Sequence, residues 1–388
     1  MVVRDIGKFR ENGIDVRTGH RATHIDTGKR TVSGTTAEGR SFVYPYDRLL
    51  IATGAAARKP EVPGFDLPQV AVVKNLEDGR RIKSLLNEGP VKRAVIIGMG
   101  YIALEMCEAL TRRGIAVDMV KPGPRFLPWL KAEMAEAVRA EIESNHVGVH
   151  TGRAVERIEH GTQGPRVVCT DTVLPADLVI AGIGIVPNSG IAADAGLALS
   201  VSRSIAVDRT LKTSAPDIYA AGDCADAVHI VTGEKAWIPL ALRANRAGWA
   251  VADNICGKQV ELDGVAGTGV FRVFDFEVAR TGLTSAEAAQ AGFDPVEAMI
   301  KSRSRGHDQP GNSTIWVNMV GDRKSGRLLG VQMVGSQGVA HRINGPAVAL
   351  HNRMTVERYA QTDLAYAPPF GPTWDPTLTA ALQLLKRM

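Results

Sequence analysis

Cysteine is scarce in this chain. The four present, Cys107, Cys169, Cys224 and Cys256, lie far apart, with no CxxC pair and no His or Cys cluster at metal-ligand spacing. That excludes a disulfide framework and a structural zinc centre, and the thiols read as reduced, buried, structural cysteines of a cytoplasmic protein. His307, His341 and His351 have no i,i+4 spacing, so no metal is expected. Long apolar runs are missing too. No stretch of eighteen apolar residues exists, and the opening segment carries Arg4, Asp5 and Lys8 where a leader would need an apolar core, so neither a membrane span nor a signal peptide is expected. Basic residues exceed acidic ones by a formal +5, but they are dispersed instead of forming a run. This argues against nucleic acid and suits small phosphorylated ligands. No GxSxG elbow is present, so a hydrolase is unsupported.

Glycine, by contrast, is plentiful at 40 of 388 residues, a length with room for two or three domains. Residues 13–50 read as short β-pieces broken by Gly and Asp turns, closing on the apolar run RLLIATGA and a Pro-punctuated linker, 58–69. The next segment has the period of a βαβ unit: a helix over 75–87, a strand over 91–97, a helix over 98–113 and a strand over 115–120. A helix at 132–144 and the strands near 167 and 177–187 complete an α/β domain ending near Asn188. A strand ending in Gly222-Asp223 and a helix over 240–255 follow. From 264 onward, strand-like runs flank a short helix and end in helical patterns, an α+β arrangement.

Gly98, Gly100 and Ala103 stand in GxGxxA spacing between the first strand and helix of the βαβ unit. There the backbone can approach a pyrophosphate and offer it the unpaired N–H groups of a helix N-terminus. At the end of the second strand, a carboxylate would accept hydrogen bonds from an adenosine ribose. Here Lys121 stands instead, with Arg125 four residues on. Cations at that point complement a 2′-phosphate, which favours NADPH over NADH. An Asp at a strand end, such as Asp223 after Gly222, can hold a ribityl hydroxyl.

The ordered set YDRLLIATGA, AVIIGMGYIALEMCEAL, GIVPN, TSAPDIYAAGDCA, IPLALRANRAGWAVADNICG and TDLAYAPPFGPTWDP resembles the pyridine nucleotide-disulfide oxidoreductases. The likeness is to the branch of CoA-disulfide reductases, NADH oxidases and persulfide reductases, and it spans essentially the whole chain. It implies an α/β protein with two dinucleotide-binding, Rossmann-like domains, the first incomplete at its N-terminus, plus a C-terminal α+β dimerisation domain. The implied boundaries are residues 1–66 with 189–262 for FAD, 67–188 for NAD(P), and 263–388 for homodimerisation. FAD contacts would fall on Thr53, Gly54 and the stretch Thr213 to Asp223, including Gly222. Nicotinamide-nucleotide contacts would fall on Gly98, Gly100, Tyr101, Glu105 and Gly184, with Tyr101 as a gate over the flavin. Asn245 would lie beside flavin or thiol substrate, and Tyr366 would be the catalytic group that reaches a partner's active site.

Two departures accompany the likeness. The resemblance implies an N-terminal βαβ unit with its own GxGxxG and a following NCG redox cysteine, and neither motif occurs in these residues. In addition, GHDQPG stands where CoA-reducing relatives carry a tyrosine pair, which weakens a claim for CoA disulfide in particular. The implied activity is transfer of hydride from NAD(P)H to FAD and on to a disulfide, a persulfide or oxygen. The alternative is a truncated or non-catalytic dimeric protein that binds nicotinamide nucleotides.

Overall fold

The computed structural model describes residues 5–161 and 164–388. The chain divides into two compact units. One unit comprises the stretch ending at Ala55 with Pro187–Ala227 and Lys235–Asp263; the other comprises Ala56–Val186, Val228–Glu234 and Gly264–Met388.

In the first unit, His20–Asp26, Thr31–Thr36 and Ser41–Pro45 form an antiparallel meander. Its core gathers around the parallel pair Leu49–Ile51 and Ile218–Ala220, which Ile205, Leu211 and the helix Ala241–Ile255 cover. Ala247, Ala250 and Val251 point inward from that helix. Burial at i, i+3 and i+4 is what makes its apolar stripe a packing face.

The second unit holds a five-stranded parallel sheet in the order Val70–Val72, Leu178–Ala181, Arg93–Ile97, Ala116–Lys121, Gly148–Thr151. Val95, Ile96 and Ile97 are at most 4% exposed, as expected of a strand covered on both faces, which is why it reads as an unbroken apolar run. Helix Tyr101–Thr111 buries Ala103, Leu104, Cys107 and Leu110, and helix Ala132–Ser144 buries Met134, Ala135, Val138 and Ile142. Helix Leu76–Glu88 begins with a capping box in which Asn75 accepts from Asp78 N and the Asp78 carboxylate accepts from Asn75 N, satisfying donors that a helix start leaves unpaired.

The same unit contains a five-stranded antiparallel sheet, in the order Gly269–Val273, Phe276–Gly282, Leu328–Gly335, Thr314–Asp322, Pro295–Arg303. All eight residues of the central strand are buried, so both faces are packed. Two carboxylates tie the hairpin at Phe274 to the helices of the parallel sheet: Glu108 accepts from Phe274 N at 2.8 Å and Glu141 from Asp275 N at 3.0 Å. Among the described residues, no helix is long and apolar enough to cross a membrane.

Candidate functional site

The carboxyl ends of four parallel strands converge on one cavity of about 620 Å³. Its wall includes Gly98, Met99 and Gly100 after the first of them, Lys121 and Pro122 after the second, Ala154 and Val155 beyond the third, and Gly182, Ile183 and Gly184 after the fourth. Ligands of open α/β sheets bind at such a place, outside the strand ends.

The glycine pattern has a direct steric cause. Gly98 adopts φ +111, and a Cβ there would lie 2.3 Å from the Gly182 carbonyl oxygen. The strand ends can therefore be this close only without a side chain. Ala103 packs on the same neighbour, since a Cβ on Gly182 would stand 3.0 Å from the Ala103 Cβ, and a small residue at this third position lets the helix sit against the sheet. Gly100 caps the helix without a side-chain hydrogen bond, and nothing lies within 4 Å of where its Cβ would be. Unpaired N–H groups thus face open space at the positive end of a helix, the arrangement that receives a pyrophosphate. The residues present therefore fit a dinucleotide.

Among the described residues, no carboxylate lines this cavity. The Lys121 side chain folds over its own loop and donates from Nζ to the Arg125 carbonyl at 2.9 Å, while burial, with the nearby Arg125 guanidinium second, pulls its pKa below the usual lysine range. The loop is braced from below, where Arg153 N donates to Lys121 O at 3.0 Å and Gly152 N to Gly123 O at 3.1 Å. Arg153 is in turn fixed by Asp171 at 2.6 Å and by His150 at 2.9 Å, and His150 Nε2 meets Asp118 at 2.7 Å. Arg58 adds a further cation to the wall and Trp129 an aromatic one.

Other residues singled out in the sequence lie around this cavity or elsewhere. Tyr101 opens the helix, 44% exposed, with its ring 6.4 Å from that of Phe271. Glu105 stands one helical turn on, where partial burial and then Glu108 push its carboxyl up. Tyr366 is half exposed in the segment between the last two helices.

Thr53, Gly54, Thr213, Gly222, Asp223 and Asn245 belong to the first unit. Thr53 Oγ1 donates to Asn188 O at 2.5 Å, Asn188 Nδ2 to Thr53 O at 2.9 Å and Asn188 N to Gly54 O at 2.9 Å, so the ATG turn is locked by Asn188. Gly222 takes φ +83, its carbonyl accepts from the buried Arg243, and the Asp223 carbonyl accepts from Trp237 Nε1 at 2.8 Å. This aims the Asp223 turn and leaves Asn245 exposed two residues beyond Arg243. The Thr213 hydroxyl is occupied, donating to Ile218 O at 2.8 Å, and holds the turn before that strand. For FAD, the residues present fit the Gly222-Asp223 and Thr53-Gly54 turns. Among the described residues this unit has no glycine-rich strand-to-helix turn of the kind formed by Gly98 and Gly100.

The cysteines bring one correction. Cys107, Cys169 and Cys224 are buried, but Cys256, expected to be buried, is exposed because it caps the helix Ala241–Ile255 where the chain leaves the packed face. Burial pushes the Cys107 thiol up to about 12 and raises that of Cys169. The single S–H of Cys224 is shared between the backbone carbonyls of Ala221 at 3.3 Å and Ile51 at 3.5 Å, so it is committed to the core. Maleimide labelling of the native protein is expected to modify Cys256 alone, with the other three reacting only after unfolding; native labelling of Cys224 would contradict this burial.

A parallel sheet with a glycine-cradled helix N-terminus at its carboxyl edge defines a dinucleotide-binding protein. The family described as pyridine nucleotide-disulphide oxidoreductase matches residues 4–248, and the dimerisation domain of the same family matches residues 269–376. The chain belongs to the pyridine nucleotide-disulphide oxidoreductase family. It is similar to an NAD(P)H sulfur oxidoreductase (CoA-dependent) of Pyrococcus furiosus, 35% identical over 96% of this chain and 84% of the relative. It is also similar to an NADH oxidase of Methanocaldococcus jannaschii, 32% identical over 98% of this chain and 84% of that protein. Among solved structures, an NAD-dependent persulfide reductase from A. fulgidus superimposes with a TM-score of 0.95 at 35% identity, covering 99% of this chain and 72% of the other.

The residues alone assign no site role to Arg58, Trp129 or Asn188, although Asn188 closes the GIVPN motif. Arg58 had a signal in its place directly after the ATGA run, whereas Trp129 reaches the wall only through the tertiary path of 122–130.

Proposed function

We propose that the chain is an FAD-dependent NAD(P)H oxidoreductase that takes hydride from NADPH in preference to NADH and passes the electrons to a disulfide, a persulfide or oxygen. The observation that carries the nicotinamide half is the cavity at Gly98 and Gly100, with Lys121 and Arg58 in its wall and no carboxylate. In this reading Gly98, Gly100 and Ala103 shape the pyrophosphate cradle, and Lys121 and Arg125 meet the 2′-phosphate. Tyr101, Glu105 and Gly184 serve the nicotinamide end; Thr53, Gly54, Thr213, Gly222, Asp223 and Asn245 serve FAD. Bound FAD would supply two-electron acceptance from nicotinamide. The likeness to relatives named sulfur oxidoreductase, persulfide reductase and NADH oxidase supports the acceptor class. We place FAD binding at 1–66 and 189–262, NAD(P) binding at 67–188, and a homodimer interface in 263–388 to which Tyr366 contributes across the two-fold.

A second reading is a dimeric nicotinamide-nucleotide-binding protein without thiol chemistry. It is favoured by the burial of Cys224, which commits that thiol to the core. NADPH consumption, followed with free FAD added and with oxygen, a persulfide or CoA disulfide in turn, separates the two. Turnover with oxygen or persulfide is expected to survive Cys224→Ser, with thiol release from CoA disulfide slow because Cys224 is buried and the exposed Cys256 stands at the other end of its helix from Arg243 and the Gly222-Asp223 turn. Consumption with none of the three acceptors would leave the second reading. Robust thiol release abolished by Cys224→Ser would overturn the structural role of that cysteine.

A further inference from the structure

Part of the wall of the Gly98 cavity is a crossing between two sheets. Strand Gly148–Thr151 ends the parallel sheet, three residues follow, and strand Val155–Gly161 opens an antiparallel sheet with Gly164–Cys169 and Val173–Pro175. Ala154 and Val155 at this crossing line the cavity. The backbone of the crossing serves both sides. Gly152 N and Arg153 N donate to Gly123 O and Lys121 O on the cationic loop, while Ala154 O accepts from Thr170 N at 3.1 Å on the antiparallel side. The Lys121 loop is thus braced by residues that belong to neither sheet.

Gly152 has no side chain and Ala154 only a methyl, so Arg153 is the residue of the crossing whose side chain can anchor it. Its guanidinium donates from Nε to Asp171 Oδ1 at 2.6 Å, on the turn between the last two antiparallel strands. It also donates from Nη1 to His150 Nδ1 at 2.9 Å, on the last parallel strand. Because Nδ1 accepts, the ring proton sits on Nε2, which donates to Asp118 Oδ1 at 2.7 Å. Asp118, His150, Arg153 and Asp171 therefore form one chain of contacts in which each group orients the next.

The sequence makes room for this chain with a glycine. Asp118 stands opposite Gly148 in the ladder, and a Cβ on Gly148 would lie 2.0 Å from Asp118 Oδ1 and 3.0 Å from His150 Nε2. Glycine weakens a strand interior and marks a close approach, here that of the carboxylate to the imidazole. The His150 side chain is 22% exposed and that of Asp171 60%, so the imidazole contact is the less screened of the two that hold Arg153.

We propose that Arg153, held by His150 and Asp118, is a positioning residue for cofactor choice, keeping Lys121 and Arg125 where they meet a 2′-phosphate. The inference rests on the NADPH preference proposed above. Arg153 does not itself line the cavity and acts through the backbone of the Lys121 loop. The pyrophosphate cradle is built separately, from Gly98 against Gly182, so releasing Arg153 shifts the loop and leaves the cradle in place.

The test is the ratio of the NADPH and NADH dissociation constants, each measured by fluorescence titration of the full chain. Arg153→Ala is expected to raise the NADPH Kd relative to the NADH Kd by ~5-fold or more, the equivalent of about one lost hydrogen bond. Gly148→Ala reaches the same contacts from their far end and serves also where Arg153→Ala does not fold. Its methyl displaces the Asp118 carboxylate, the end of a flexible side chain, and leaves Lys121, Arg125 and Arg153 unaltered in sequence. The ratio is expected to move in the same direction by ~2-fold or more. A residue that served stability alone would lower the melting temperature and weaken both nucleotides equally. An unchanged ratio in the folded variants would overturn the inference while the NADPH preference of the unmodified protein stood. An unmodified protein without that preference would remove the preference and the inference together.

Discussion

Gly98→Ala is expected to abolish measurable nicotinamide-nucleotide binding, raising Kd at least ~100-fold, or about 2.7 kcal/mol. The Cβ would stand 2.3 Å from the Gly182 carbonyl oxygen at a backbone φ of +111. Relief requires the strand ends to part or the turn to change its dihedrals, and either movement displaces the N–H groups at the start of Tyr101–Thr111 that we propose for the pyrophosphate. Thermal unfolding of the same variant separates loss of the cradle from loss of the fold. A folded Gly98→Ala protein with unchanged NADPH affinity in a fluorescence titration would remove this turn from the site.

Lys121→Glu is the second large expected effect, a reversal of cofactor preference. In the native protein Lys121 lines the cavity and Arg125, near enough for its charge to help lower the Lys121 pKa, stands beside it, with no carboxylate in the cavity wall among the described residues. A 2′-phosphate between them would convert that repulsion into charge-assisted hydrogen bonds worth about 1.5–3 kcal/mol each. A glutamate would instead repel the phosphate and accept from ribose hydroxyls. NADPH Kd is expected to rise by at least ~30-fold while NADH binds as well as before or better. An unmodified protein that binds NADH more tightly than NADPH would show that the two cations serve the loop alone.

The cavity at Gly98 and Gly100 is legible from residues because the parts that shape it are sequential. An apolar strand buried on both faces, a GxGxxA turn and a helix with inward Ala103, Leu104, Cys107 and Leu110 occur in one short stretch, and periodicity reads such stretches well. Helix Ala132–Ser144 was legible to the residue for the same reason. The helix Ile6–Glu11 was not, because it buries nothing and is held by its Asp5 cap, whose side chain accepts from Lys8 N. Trp129 in the cavity wall, Asn188 locking the Thr53 turn and the exposure of Cys256 all depend on contacts or packing remote in sequence.

The central claim is that this chain moves hydride from NADPH onto a flavin that it holds. It is tested most directly by the visible absorbance of the protein equilibrated with FAD, freed of unbound flavin and titrated without oxygen. Protein that retains flavin and is bleached by one equivalent of NADPH, with NADH requiring a higher concentration, is the expected result. A colourless protein, or retained flavin that NADPH leaves oxidised, would contradict the account.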